Sequence, residues 1–138
     1  MEAITSFMET SNPIQEAERY IQNARKILSE KAGKDGNYYT DKKYVKMAGH
    51  TALCGVLLAL DAALQVREGM KNGQRPDIKD YQNAIAKADK KMPRMLMNSY
   101  DTLHKVLGYD GNLNYKVVQI GLEEAQDIID WAGNRFKN

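Results

Sequence analysis

The chain has 138 residues, 43% hydrophobic and 28% charged, with one cysteine and a formal net charge of +2. That is the length of one ordinary domain with enough apolar content for a core, so a disulfide-stapled scaffold is excluded and neither disulfides nor a structural metal is needed. A pI near 8.6 is too mildly basic to imply nucleic acid by itself.

One domain over 1–138 is expected, with residues 1–11 as a loosely ordered N-terminal arm. Its opening, MEAITSFMET, lacks the basic segment and apolar run of a secretory signal, which points to a reducing, cytoplasmic location. Ile4, Phe7 and Met8 could form one apolar face there, as a short helix or an arm packed on a partner. At Asn12 the signals sharpen: Asn12 suits a helix N-cap, Pro13 the first helical position, and Gln15 the capping-box position. Ile14, Ala17, Ile21, Ala24 and Leu28 then recur at spacings of three and four, an amphipathic helix that Gly33 ends.

After the loop GKDGNYY, Thr40 or Asp41 can cap a second helix of about thirty residues that stops between Gly69 and Gly73. Its middle, KMAGHTALCGVLLALDAALQV at 46–66, has no charge between His50 and Asp61 and many small residues. A helix apolar on every side is a buried one, so this stretch is expected at the centre of the fold, with Cys54 as a small core residue and Gly55 as a packing residue. Its uncharged length falls short of the roughly 18 to 20 residues that cross a bilayer, and no membrane span is expected.

The turn NGQRP leads to Asp77 as the next cap, and Ile78, Tyr81, Ile85, Ala88 and Met92 follow in heptad-like spacing. Pro93 lies within this pattern. A proline inside a helix costs about 3 kcal/mol, but KKMPRM contains nothing that would reverse the chain, so the spacing predicts one helix over 78–107, bent at Pro93. A last helix is expected from about Leu113 to Phe136. The fold class is therefore all-α, an up-and-down four-helix bundle.

Two loops share a pattern: GKDGN at 33–37 and GYDGN at 108–112. The plain reading is two similar turns. In an up-and-down bundle, however, both fall at one end, which would gather Asp35, Tyr38, Tyr39, Tyr109, Asp110 and Tyr115 there as a binding surface. Both histidines, His50 and His104, then project from the same half. Tyr100 and Asp101 lie four and three residues before His104, the spacing of helical neighbours, and a carboxylate there could orient an imidazole for general acid or base chemistry. The plain alternative is a core His50 and a surface His104. Lys87, Lys90, Lys91 and Arg94 would place four positive charges on one face of the third helix, a stripe able to meet phosphates weakly or simply to face solvent. No close-spaced ligand motif is present, so no metal or cofactor is expected.

The runs YTDKKYVKMAGHTALCGVLLALDAAL and SYDTLHKVLGYDGN, together with the closing IIDW, resemble a family of small bacterial proteins with a HEPN-like four-helix bundle, over about residues 15 to 132. The resemblance implies a homodimer. Some HEPN proteins are metal-independent ribonucleases of toxin systems, and others are non-catalytic partners of nucleotidyltransferases. The ribonucleases place an arginine four to six residues before a histidine in a late helix. Here His104 matches the histidine, but the preceding positions are Asn98, Ser99 and Tyr100, and the cation is missing. Arg94, ten residues before His104, does not replace it. The resemblance therefore implies a non-catalytic binding protein, with a nucleotidyltransferase or another nucleotide-bearing protein as a partner. The alternative is a divergent ribonuclease or RNA-binding protein that uses His104.

Overall fold

The computed structural model describes residues 12–137; the expected N-terminal arm lies outside them. Helix α1, Pro13–Lys31, begins as its sequence dictates: the Asn12 side chain accepts from the Gln15 amide at 2.9 Å. Its stripe of Ala17, Ile21, Ala24 and Leu28 is buried. A two-stranded antiparallel ribbon follows, β1 (Lys34–Asp35) and β2 (Tyr38–Tyr39), with Gly36 left-handed at the turn. Helix α2, Lys42–Leu64, is capped by Asp41, which accepts from the Lys43 amide.

Helix α2 packs against α1 through Gly55, where a Cβ would lie 3.0 Å from the Ala17 carbonyl oxygen and 3.0 Å from the Tyr20 Cβ. By length and composition it is apolar enough to cross a membrane, yet Val45, Ala48, Ala52, Val56, Ala59 and Leu60 are buried among the other helices. It is shorter than expected. Gln65 turns left-handed at its end, and the Asp61 carboxylate accepts from the Arg67 amide, so the chain leaves the helix before Gly69.

A short 3-10 turn at Lys71–Gly73 precedes α3, Ile78–Ala88, which starts in a full capping box between Asp77 and Asp80. The single bent helix expected over 78–107 is instead three pieces: α3; α4, Met92–Tyr100; and a π-helical segment, Asp101–Leu107. The break comes ahead of Pro93, not at it. Asp89 is fully extended, its carboxylate accepts from the Lys91 amide at 2.9 Å, and Pro93 stands in the first turn of α4, where a missing N–H costs nothing. Asp89 also accepts from the Trp131 indole at 3.1 Å, which fixes the break against the last helix.

That helix, α5, runs Tyr115–Lys137 and buries Val118, Leu122, Ala125, Ile128, Ile129 and Ala132. The Asn114 side chain accepts from the Val117 amide at its start. The fold is thus mostly helical, with five α-helices among the described residues and one small ribbon. The ribbon ties the two similar loops together: the Tyr39 amide donates to the Leu113 carbonyl at 2.8 Å and the Tyr115 amide to the Asn37 carbonyl at 2.9 Å. Both loops therefore lie at one end, as the topology predicted.

A further expectation fails. Helix α2 is not enclosed on all sides, since Lys43, Met47, His50 and Cys54 are exposed along one stripe and Leu57 is only partly covered. Cys54 is a free, exposed thiol rather than a core residue. Small residues let α1, α5 and the π-helical segment approach closely, but these neighbours leave one side of the helix open.

Candidate functional site

The two histidines meet because two backbones do. At Gly49 a Cβ would lie 2.7 Å from the Leu107 Cβ, 2.9 Å from the Leu103 carbonyl oxygen and 2.9 Å from the Gly108 amide, so no other residue lets α2 come this close to the π-helical segment. His50, the next residue, then faces Gly108, where an added Cβ would lie 2.9 Å from the imidazole. The His50 and His104 ring centroids are 6.4 Å apart in an edge-on arrangement. Tyr100 stacks on His104 with centroids 5.0 Å apart and planes 17° apart. Both histidines are exposed. The segment that carries His104 is π-helical: the Gly108 amide reaches back to the Leu103 carbonyl at 2.9 Å, a five-residue return. Such turns are rare and recur at functional sites.

The expected pairing of Asp101 with His104 does not form. Asp101 is exposed, and neither a hydrogen bond nor an ion pair joins it to the imidazole; the neighbour that touches the ring is Tyr100. Nor is His50 a core histidine.

The loop residues divide. Tyr38 is 56% exposed and Tyr109 75% exposed, and Asp110, next to Tyr109 in sequence, is exposed as well. Tyr39 points inward at 5% exposure, its ring 5.6 Å from that of Tyr115, and its hydroxyl accepts from the Gln119 side chain at 2.9 Å. Burial raises the Tyr39 pKa, so its hydroxyl keeps its proton.

The basic stripe does not survive as one helix face. Lys87 lies at the end of α3, Lys90 and Lys91 in the break, and Arg94 on α4; all four are exposed, but the helical spacing that aligned them is interrupted at Asp89. Among the described residues, no group of three or more histidine, cysteine, aspartate or glutamate side chains is placed to hold a metal ion.

Several contacts had no signal in the spacing. Tyr81, on α3, donates its hydroxyl to the Asp61 carboxylate of α2 at 3.0 Å, and burial followed by the neighbouring Asp61 raises its pKa strongly. The Trp131 bond to Asp89 and the Gln119 bond to Tyr39 likewise join residues far apart in sequence, which local periodicity does not record.

Residues 12–134 match the family described as Domain of unknown function (DUF5618). The chain belongs to that family. Among solved structures, a protein of unknown function from Dyadobacter fermentans is 44% identical, with a TM-score of 0.81 over 89% of this chain and 95% of that one. A protein from Sulfolobus solfataricus is 19% identical, with a TM-score of 0.65 over 91% of this chain and 97% of that one, a likeness of fold alone. No curated protein matches the chain.

Proposed function

We propose that this DUF5618 chain is a single-domain, non-catalytic interaction protein of the HEPN-like four-helix-bundle type, which acts as a homodimer through the open stripe of α2. The observation that carries this reading is the exposure of Met47, His50 and Cys54 on the most apolar helix of the chain. With Lys43, Leu57 and Asp61 they recur at alternating spacings of four and three, the pattern of a helix that meets another helix. The pattern is self-complementary. An antiparallel pair centred level with Ala52 sets Lys43 of one copy opposite Asp61 of the other, Met47 opposite Leu57, and His50 opposite Cys54, as a two-fold interface requires. Tyr100 and His104 extend the surface on one flank.

Light scattering coupled to gel filtration tests this. A dimer is expected at micromolar concentration, and Cys54→Arg is expected to give a folded monomer, because a cation set at the seam opposite the imidazole of the other copy has no carboxylate there to pair with and costs more than the packing returns. A wild-type monomer would overturn the reading, and the search would pass to a heterologous partner such as the nucleotidyltransferase that the HEPN resemblance suggests.

The pairing of two imidazoles favours a second reading, a divergent ribonuclease. One histidine would accept the ribose 2′-hydroxyl proton while the other donates one to the leaving oxygen. Against it stands the missing cation: Asn98, Ser99 and Tyr100 occupy the positions from which an arginine would hold the phosphate. Cleavage of RNA by the pure protein, abolished by His104→Ala with the fold intact, would establish this reading.

A further inference from the structure

A cleft of about 400 Å³ lies between α1, the ribbon and the start of α5, and it shares no residue with the α2 stripe. Its floor is Leu28 and Leu122, both buried, and the Tyr39 and Tyr115 rings stand at its side. Arg25 and Lys34 border it, whereas no aspartate or glutamate does.

The polar atoms around it are set by one another. Arg25 is a donor only, and its Nη1 reaches the Gln119 Oε1 at 3.4 Å. That fixes the amide, so Gln119 Nε2 faces the Tyr39 hydroxyl and donates to it at 2.9 Å. The hydroxyl oxygen has its donor, and the hydroxyl proton is left to donate elsewhere. The Lys34 ammonium sits 3.8 Å from the Tyr115 ring centroid, a cation–π contact that holds a second positive charge at the rim. Hydroxyl, guanidinium and ammonium all offer hydrogens, and no lining side chain supplies a carboxylate to receive them. An apolar, concave surface with a few converging polar groups is the usual form of a small-molecule site.

We propose that this cleft binds a small anion, a carboxylate or phosphate group carried on a flat apolar body, with Arg25, Lys34 and the Tyr39 hydroxyl meeting the oxygens and the body resting on Leu28, Leu122 and Tyr115. The Tyr39 hydroxyl, kept protonated by burial, is a donor at every physiological pH. Arg25 supplies the planar donor pair that matches either anion.

Titration calorimetry with benzoate, its neutral isostere benzamide, and phenyl phosphate tests the site. Saturable binding of at least one of the anions is expected, with benzamide weaker by about tenfold or more, the worth of one lost charge-assisted hydrogen bond. Comparison of benzoate with phenyl phosphate tells which oxygen group is preferred. Arg25→Gln with Lys34→Gln changes only exposed side chains, so the thermal midpoint should hold while the preference for the anion disappears. Tyr39→Phe should weaken the anions several-fold and leave benzamide unchanged. Equal binding of benzoate and benzamide, no binding of either anion, or an undiminished preference in the double variant would overturn the proposal.

Discussion

Two glycines of α2 have different neighbours, and the difference sets the effect of a single methyl group. At Gly55 the nearest atoms stand at 3.0 Å and belong to α1, whereas at Gly49 they stand at 2.7 to 2.9 Å and include backbone of the π-helical segment. Alanine is favoured over glycine in a helix by about 1 kcal/mol, but overpacking costs about 1 to 3 kcal/mol. Both Gly55→Ala and Gly49→Ala are therefore expected to lower the midpoint of urea unfolding, Gly49→Ala by more; a raised midpoint for either would mean that its helix pair can separate without loss. Glu124 is a second residue whose surroundings decide its effect. Burial raises its pKa, while the Thr102 hydroxyl at 3.5 Å offsets this only in part. A carboxyl with a raised folded pKa holds its proton more tightly in the folded state, so its cost is absent below the unfolded pKa and appears as pH rises through the folded one. Glu124→Gln should thus stabilise the protein at neutral pH, and the gain should close as pH falls to the ordinary carboxylate range. A gain that persists at low pH would assign the effect to packing instead.

Elements begin and end for reasons of different visibility in the sequence. The starts of α1 and α3 were legible, because the Asn12 and Asp77 side chains each accept from the amide three residues on, and local spacing records such contacts. The meeting of His50 with His104 was legible from topology alone, since the loops had to share an end. Exposure of the α2 stripe was not. An apolar run shows that a helix can be covered on all sides, but not how many neighbours are there to cover it. The break before α4 was missed for a related reason: Asp89 reads as one acidic residue among lysines, and its partner Trp131 lies on another helix. That bond gives a test of the element. Removal of the Asp89 carboxylate leaves the part-buried indole N–H without its acceptor, at about 1 to 3 kcal/mol, whereas the exposed Lys91 amide can turn to water. Asp89→Ala is accordingly expected to lower stability by about 1 to 3 kcal/mol in chemical unfolding, and Asp89→Asn, which keeps an acceptor oxygen, by less. Equal losses would show that charge rather than acceptance fixes the break.

At the scale of the whole molecule, the helices are arranged so that the two similar loops close on each other. The Tyr39 amide bonds to Leu113 and the Tyr115 amide to Asn37, while the Asn112 side chain accepts from the Asn114 amide and shapes the second loop to receive the first. The partners lie far apart along the chain, and most of the polypeptide must already be in place before they can meet. This clasp has a kinetic meaning. Chain closure over a long span costs entropy that only later interactions offset, whereas α1 and α2 are joined by a short ribbon and can dock early. The clasp should therefore be absent from the transition state for folding and act as a latch on the way out. Asn112→Ala is expected to speed unfolding in stopped-flow measurements while the refolding rate stays that of the wild type. A slowed refolding rate would instead make the joined loops the nucleus around which the helices assemble.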